Sequence, residues 1–354
     1  MTPPTVALVS FRLFGPDGVS VEAAKWADAL ATLGFRVTTV AGHGPVDHLL
    51  PGLAIEAPEP PAAGDLEQAL SEADLVVVEN LCSLPLNPGA ASVLAKVLAG
   101  RPALLHHHDL PWQRDRFAGF PPPPDDPAWA HVTINELSRD QLADHGIGAV
   151  VVRNTFLVDP DPGDREATRA ELGIGPSERL VLQPTRALAR KNVAGGMALA
   201  EALGASYWLL GAAEDGYGPE LDRLVARART RVLLGWGPGG SRKIADAYAA
   251  CDVVTLPSTW EGFGNPAVES AVFDRPLAIG PYPVATELAR YGFDWFTLDE
   301  SDRLAAWLEA PDPDLLAGNH EVARRHFSEA DLPDRIEAVL HHAGWDDLVT
   351  SPGP

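Results

Sequence analysis

The sequence contains little cysteine, few basic residues and no long apolar run. Cys82 and Cys251 are the only cysteines among its 354 residues, too few for a disulfide framework or a zinc site, so both are expected to be reduced core residues. No run of 18 apolar residues occurs, and no basic region precedes an apolar stretch near the start of the chain. These absences predict neither a membrane span nor secretion, and they favour the cytoplasm.

Basic residues are outnumbered by acidic ones, 27 to 49, which gives a formal net charge of -22. A surface of this sign repels polyanions, so nucleic acid and anionic membranes are not expected partners. The same charge also serves solubility without any ligand. If this chain binds an anion, it must gather its few cations locally, and the positions of Arg and Lys are therefore informative.

Short apolar, β-branched runs alternate with segments of helical period along the chain. This alternation predicts parallel sheets with helical crossovers, and the length exceeds what one core usually supports. We therefore expect an α/β protein of two Rossmann-like domains. The runs form one series at 5–10, 35–41, 74–80, 102–108, 131–134 and 149–152, and a second at 179–184, 206–211, 231–235, 252–257, 276–280 and 294–298.

The segment 154–178 separates the two series and is rich in acidic residues, proline and glycine, which predicts a hinge there. The expected domains are 1–160 and 161–330, followed by a helix and tail over 331–354. An Asp-Pro repeat at 159–162 is compatible with a metal site, but its prolines favour a solvated loop.

A glycine loop follows the first predicted strand. Gly15 and Gly18 precede a helix that we expect Ser20 to cap. The free amides of such a helix start suit an anion, although a simple turn has the same composition. Ligands of open parallel sheets bind at the carboxyl ends of the strands, which is where this loop lies.

Three histidines, His106, His107 and His108, end the fourth predicted strand and are followed by Asp109. Strand alternation sends neighbouring side chains to opposite faces, so the three are not expected to bind one zinc ion. One or two of them at the strand end are candidates for a ligand site, and core or surface positions are the alternative.

Arg186, Arg190 and Lys191 form a cationic cluster between a predicted strand and the next helix. Cations at this position can stabilise a diphosphate leaving group, where negative charge develops as the bond to a sugar breaks. Three solvated surface residues are the alternative.

Gly235, Gly237 and Gly240 have the G-x-G-x-x-G spacing of a dinucleotide-binding loop, with Glu261 about twenty residues later. Pro238 stiffens this loop, and the motif opens the third unit of its domain, whereas the fingerprint belongs to the first. A dehydrogenase is therefore not favoured.

Glu261 and Glu269 stand eight positions apart around the glycine-rich stretch 262–265, after a predicted strand. Loop amides there can approach a ligand while the two carboxylates accept its hydroxyls. The string from Asp252 to Pro276 resembles the E-x7-E signature of glycosyltransferase family 4, retaining enzymes of the GT-B fold. The resemblance also includes, in family order, the early glycine loop, His108 with Asp109, Asn154 in the linker, and the R-x4-K pair of Arg186 and Lys191.

The resemblance implies a GT-B architecture, two Rossmann-like parallel-sheet domains facing across a cleft, with the last helix crossing back to the first domain. Its catalytic residues would be His108 beside the transferred sugar, Arg186 and Lys191 on the donor diphosphate, and Glu261 on the sugar. Glu269 would hold the ribose hydroxyls. Further donor contacts would come from Gly18, Leu234, Gly235, Trp236, Gly237, Phe263, Gly264 and Asn265.

The implied activity is retaining transfer of a hexose from a UDP- or GDP-linked sugar to a hydroxyl of a small soluble acceptor, without metal or other cofactor. Nucleotide-sugar epimerisation, phosphorolysis or binding without catalysis are the alternatives on this fold. Arg114 and Arg116 favour an acidic acceptor, and the lack of a basic amphipathic segment argues against a membrane lipid. The acceptor-side candidates in the N-terminal loops are Glu79, Asn80, Asp109, Trp112 and Arg114.

Overall fold

The computed structural model describes residues 3–15, 17–236 and 243–348. It divides the chain into two compact units. The first combines Met1–Thr155 with Glu329–Pro354, and the second is the continuous segment Phe156–Ser328. The chain therefore leaves the first unit after Thr155 and returns to it after Ser328.

The first unit is built on a seven-stranded sheet with the order β3-β2-β1-β4-β5-β6-β7, in which neighbouring strands are parallel. Its strands are β1 Thr5–Arg12, β2 Arg36–His43, β3 His48–Leu49, β4 Leu75–Glu79, β5 Ala103–His107, β6 Trp129–Thr133 and β7 Ala149–Val151. β4 is completely buried, as expected for an apolar strand at the centre of a parallel sheet with both faces covered.

Helices cover both faces of this sheet. They are α1 Gly18–Thr32, α2 Ala63–Ala69, α3 Pro88–Leu98, α4 Glu136–Asp144 and the C-terminal helix, numbered α13, Leu332–His342. On one face, Trp26 and Leu30 of α1 share a core cluster with Ile336 and Leu340 of α13. On the other face, Leu94 of α3 packs with the apolar residues of α2 and β4. The C-terminal helix is thus part of the core of the first unit.

The second unit has a six-stranded sheet with the order β10-β9-β8-β11-β12-β13, again with parallel neighbours. Its strands are β8 Leu180–Gln183, β9 Ser206–Leu209, β10 Val232–Leu234, β11 Val253–Leu256, β12 Leu277–Ile279 and β13 Phe296–Thr297. Its helices are α5 Arg165–Leu172, α6 Val193–Ala202, α7 Gly218–Arg227, α8 Ile244–Ala250, α9 Asn265–Val272, α10 Pro283–Ala289, α11 Ser301–Glu309 and α12 Pro313–Phe327.

The prediction of two α/β domains with parallel sheets is confirmed, since each of the twelve apolar runs overlaps one strand. β3 was not predicted, because His48 and Leu49 are exposed and form only two residues of edge strand without an apolar pattern. No helix of the described chain is long and apolar enough to cross a membrane.

The segment 154–178, in which the hinge is predicted, contains the helix α5. Asp164 caps the N-terminus of α5 by accepting a hydrogen bond from the backbone of Ala167, and Gly173 ends the helix in the left-handed conformation. Arg169 of α5 is buried and donates to the carbonyl of Ala250 at 2.8 Å. Residues 165–172 are therefore an anchored helix of the second unit, and the Asp-Pro repeat at 159–162 lies before it.

Candidate active site

In the second unit, a buried ion pair joins the loop after β8 to the loop after β11. Lys191 precedes α6, and its Nζ lies 2.5 Å from Oε1 and 2.7 Å from Oε2 of Glu261. Arg190 donates to the same carboxylate at 3.1 Å and to the carbonyl of Trp260 at 3.0 Å. Ser258 donates to Oε1 at 2.5 Å. Two cations and one hydroxyl thus converge on a single buried carboxylate.

In this cluster, the attraction between opposite charges opposes the desolvation that burial imposes on each ionised side chain. Burial disfavours the carboxylate of Glu261, but Lys191, Arg190 and the hydroxyl of Ser258 outweigh it and lower the pKa of Glu261. Burial also lowers the pKa of Lys191, assisted by the neighbouring arginines and opposed by Glu261. At neutral pH the cluster holds two cations and one anion, so it retains a net positive charge toward an anionic ligand.

Arg186 does not join this cluster through a direct contact. Its Nη1 lies 2.7 Å from Oε2 of Glu214, and both side chains are nearly half exposed. Such an exposed pair contributes little to stability and is easily exchanged for another anion. The structure therefore places Lys191 at a buried carboxylate and Arg186 at a solvated one.

The loop after β11 turns into α9 at Gly264, which has φ +94°. A Cβ atom at this position would lie 2.1 Å from the hydroxyl oxygen of Tyr282, which donates to the carbonyl of Phe263 at 3.2 Å. Gly264 is therefore required both by backbone conformation and by close packing. The ring of Phe263 is buried against Phe156 and Phe327, so its side chain supports the loop. Asn265 is the first residue of α9.

Glu269 on α9 accepts a hydrogen bond of 2.5 Å from the hydroxyl of Tyr248 on α8. Burial and the charge of Glu269 raise the pKa of Tyr248 well above its ordinary value, so the hydroxyl remains a donor. Sequence reasoning did not find Tyr248, Ser258 or Glu214. Tyr248 and Glu214 meet their partners only through the fold, 21 and 28 positions away. Ser258 lies three positions before Glu261, inside the matched string from Asp252 to Pro276, but was not singled out there.

The predicted base-binding loop follows β10. Leu234 is 47% exposed. Gly235 has φ +69°, and its carbonyl accepts a 2.7 Å hydrogen bond from the indole of Trp208. Trp236 meets the same indole edge to face, with ring centres 6.0 Å apart. Gly237 and Gly240 of the predicted glycine motif lie outside the described residues.

In the first unit, Glu79 at the end of β4 bridges two of the three histidines. Its carboxylate lies 3.0 Å from Nδ1 of His106 and 3.0 Å from Nε2 of His108. Asn80 follows with φ 59°, and its Oδ1 accepts from the backbone amides of His108 and Asp109 at 3.1 and 3.4 Å. The end of β4 therefore orients the end of β5.

The histidine cluster has a defined distribution of charge. Burial opposes ionisation of Glu79, but His106 and His108 lower its pKa to about 2. Burial disfavours the cation of His108, but Glu79, Glu22 and Asp109 outweigh it and raise the pKa of His108. Burial and the neighbouring His108 lower the pKa of His106, against the opposing effect of Glu79, so the two histidines shift in opposite directions. Within the described part of the chain, Nε2 of His106 has no hydrogen-bond partner.

The metal argument from the sequence needs one correction. His107 does lie on the opposite face, where it contacts Ser83 and His131. The flanking histidines share one face, however, and their ligand atoms and that of Glu79 lie within 4.8 Å of one another, the one such group among residues 3–15, 17–236 and 243–348. Hydrogen bonds between the histidines and the carboxylate account for this grouping.

The acceptor-side predictions divide into two groups. Glu79 and Asn80 are 0% and 5% exposed, and their side chains hold the end of β5 through hydrogen bonds. Asp109 forms an ion pair of 2.8 Å with Arg114. Trp112 stacks on His145 with ring centres 4.3 Å apart and donates to Gln141. These last three remain partly accessible beyond the end of β5.

The start of α1 differs from the prediction in its cap. Asp17, not Ser20, is the N-cap, and its side chain accepts from the amide of Ser20 at 3.3 Å and from its hydroxyl at 2.8 Å. Arg12 pairs with the same carboxylate at 2.8 Å. Gly18 is the first residue of the helix. The helix begins at Gly18, so Asp17 directly precedes it and Ser20 lies within its first turn.

Comparison with known proteins identifies the architecture. No family model matches the chain. HepE from Anabaena in complex with UDP-glucose superposes with a TM-score of 0.68 at 21% identity, over 95% of this chain and 99% of that one. Sucrose-phosphate synthase from Thermosynechococcus elongatus gives 0.71 at 15% identity, over 96% and 98%. The chain has the GT-B fold.

Curated relatives of this GT-B chain are glycosyltransferases. Mannosylglucosylglycerate synthase of Thermotoga maritima is 26% identical over 95% of the chain and 98% of the relative. The enzyme of the same name from Petrotoga mobilis is 23% identical over 83% and 86%. D-inositol 3-phosphate glycosyltransferase of Mycobacterium tuberculosis is 33% identical over 51% of the chain but only 40% of the relative.

Proposed function

We propose that this protein is a metal-independent, retaining hexosyltransferase of glycosyltransferase family 4 that uses a UDP- or GDP-linked sugar. The observation that carries the proposal is the buried cluster of Lys191, Arg190 and Glu261 at the carboxyl end of a parallel sheet, with an excess of positive charge. Anionic ligands of open α/β sheets bind at that edge. The E-x7-E spacing and glycosyltransferase relatives support the same assignment.

In the proposed donor site, the diphosphate competes for cations that carboxylates hold in the unliganded protein. Arg186 exchanges the half-exposed Glu214 for a phosphate, which costs little because the original pair is solvated. Lys191 stays beside Glu261, whose second role is to accept a hydroxyl of the sugar. Glu269 accepts the ribose hydroxyls with one of its oxygens fixed by Tyr248.

The proposed reaction breaks the bond between the anomeric carbon and the diphosphate oxygen, and forms a bond from that carbon to the acceptor oxygen on the same face. The acceptor proton moves to the departing phosphate oxygen. Arg186 and Lys191 stabilise the negative charge that develops on this leaving group. No protein nucleophile and no divalent cation take part.

The first unit is the proposed acceptor side, with His108 as a cation beside the transferred sugar. Asp109, Trp112 and Arg114 contribute to the acceptor loop. Two relatives are named for the synthesis of mannosylglucosylglycerate, a small soluble glycoside with a carboxylate. A small acidic acceptor is therefore the first class to screen, in agreement with Arg114 and Arg116 at this edge.

Thermal unfolding in EDTA with UDP, GDP and their hexose conjugates tests the donor site. The wild type should gain stability with one nucleotide, by RT ln(1 + [L]/Kd). Arg186→Ala should lose this gain, whereas Arg223→Ala, which removes another exposed arginine, paired with Glu220 in the same unit, should keep it. Stabilisation by NAD alone, or by a nucleotide only when a divalent cation is present, would contradict the donor assignment.

Product analysis distinguishes transfer from the alternatives. NMR of the product should show the anomeric configuration of the donor. Inversion would exclude the retaining mechanism. Conversion of the donor without an acceptor would indicate epimerisation, dependence on phosphate would indicate phosphorolysis, and donor binding without turnover across the acceptor screen would indicate a binding protein.

A further inference from the structure

The middle histidine of the triplet belongs to a chain of hydrogen bonds that the proposed reaction does not use. Nδ1 of His107 lies 2.6 Å from the hydroxyl of Ser83, and Nε2 lies 2.9 Å from Nδ1 of His131. Nε2 of His131 lies 3.0 Å from Oδ1 of Asp125. The two imidazoles are nearly parallel, at 7°. The chain runs from a serine through two rings to a carboxylate.

The direction of every hydrogen bond in this chain follows from its acidic end. An ionised carboxylate can only accept hydrogen bonds, so Nε2 of His131 carries a proton and donates a hydrogen bond to Asp125. Burial lowers the pKa of both His131 and His107, and a neutral imidazole has one donor and one acceptor nitrogen. Nδ1 of His131 therefore accepts from Nε2 of His107, and Nδ1 of His107 accepts from Ser83.

Because the hydrogen bonds run in this direction, the hydroxyl of Ser83 donates its single proton in the hydrogen bond to His107. No described residue donates a hydrogen bond to Ser83 Oγ. Oγ of Ser83, a residue only 4% exposed, therefore has two lone pairs that can accept hydrogen bonds. It cannot donate a second hydrogen bond. A ligand group that approaches Ser83 must itself donate a hydrogen bond.

Ser83 and Asp125 line a cavity of about 530 Å³ in the first unit, a volume within the range of small-molecule sites. One wall is α3, which presents small residues such as Ala91 and Ala95. Trp129 and the four prolines 121–124 also line it, together with three charged side chains, Lys96, Asp125 and Asp126. Most of the lining is apolar, which suits a ligand with an apolar body.

We propose that this cavity is a second small-molecule site, distinct from the donor site. It binds a neutral alcohol that has an apolar body, and the hydroxyl of this alcohol donates a hydrogen bond to Oγ of Ser83. The Ser83–His107–His131–Asp125 chain sets this preference by holding Ser83 as an acceptor. The cavity lies on the face of β5 opposite His106 and His108, and the site does not depend on the proposed glycosyl transfer.

Binding of two isomers, n-octanol and heptyl methyl ether, tests the preference by NMR titration of the full-length protein. Both have the same atoms and similar apolar area, but only the alcohol donates. The wild type should bind the alcohol about two- to tenfold more tightly, the range expected for one hydrogen bond. Ser83→Ala should abolish this difference, and Ser92→Ala, which changes an exposed serine lining the same cavity, should retain it.

Asp125→Asn provides a second arm, because an amide can donate or accept. The polarity of the chain is then no longer fixed, and the preference for the alcohol should fall. Equal binding of the isomers by the wild type, binding of neither, or a preference that survives Ser83→Ala would overturn the proposal.

The tautomers can be tested without any ligand or variant. Nitrogen-15 NMR of the wild type should show protons on Nε2 and none on Nδ1 for both His107 and His131. A proton on Nδ1 of either ring would overturn the proposed polarity, whatever the variants do.

Discussion

Nζ of Lys191 contacts both carboxylate oxygens of Glu261, at 2.5 and 2.7 Å, although the two residues are 70 positions apart. Both side chains are buried, so neither charge has water as an alternative partner. Removing one member leaves a buried charge, whereas removing both does not.

Lys191→Met should therefore destabilise the second unit by about 3 kcal/mol, as expected when a buried pair is broken. The double variant Lys191→Met with Glu261→Gln should lose clearly less than the sum of the two single changes. Urea unfolding of the four proteins measures this coupling. Additive effects would show that the two charges do not stabilise each other.

Tyr248→Phe should weaken donor binding about three- to tenfold, because Glu269 loses the hydroxyl that fixes one of its oxygens. Tyr207→Phe is the matched control, since it removes an equally buried hydroxyl from Gln183 in the same unit. Nucleotide titration of both variants measures the effect. Equal losses in the two variants would indicate a general effect of packing and no role for Tyr248 at Glu269.

Glu214→Gln should tighten nucleotide binding about two- to fivefold, because Arg186 no longer has a competing carboxylate. Glu220→Gln removes a similar exposed partner from Arg223 and should leave the dissociation constant unchanged. Isothermal titration at low ionic strength is suitable, since screening weakens exposed charges. Weaker binding by Glu214→Gln would place Arg186 outside the donor site.

The His108–Glu79 pair should give the protein a characteristic pH dependence. Because the folded-state pKa of His108 is raised, its contribution to stability is complete below about pH 6.5 and is lost as the pH rises through the folded value. The stability difference between wild type and His108→Gln should therefore shrink with increasing pH, with a slope of at most about 1.4 kcal/mol per pH unit.

Ionisation of Glu79 should give the largest change in the stability of this pair at acidic pH. Its folded-state pKa of about 2 lies below the ordinary value, so its contribution is present above about pH 4.5 and is lost as the pH falls toward 2. Glu79→Gln should be less stable than the wild type at neutral pH and should approach it in acid. A constant difference between pH 7 and 3 would contradict the ionised state of Glu79.

The sheets were predictable from the sequence because burial on both faces requires continuous β-branched runs such as 75–79 and 253–256. Charge within such runs is rare, so Glu261 and the histidines at strand ends also stood out. Partners were not predictable in the same way. Tyr248 and Glu269 are 21 residues apart on different helices, and Ser83 meets His107 across two strand ends.

The local sequence did not identify the correct helix cap where two nearby polar residues could both serve as the N-cap. Asp17 and Ser20 both suit a helix cap, and only the position of the first turn decides between them. Composition marked the segment 154–178 as a hinge but gave no sign of the helix at 165–172, where Arg169 donates to the carbonyls of Ala250 and Gly175.

The C-terminal helix Leu332–His342 has a consequence for synthesis on the ribosome. Trp26 and Leu30 emerge early, but Ile336 and Leu340, which complete their cluster, are translated only after the whole of the second unit. The second unit of the nascent chain can therefore finish folding before the first unit does. Until release, an apolar face of α1 remains available to chaperones, and a fragment that ends at Thr155 should aggregate where one spanning 156–328 stays monomeric.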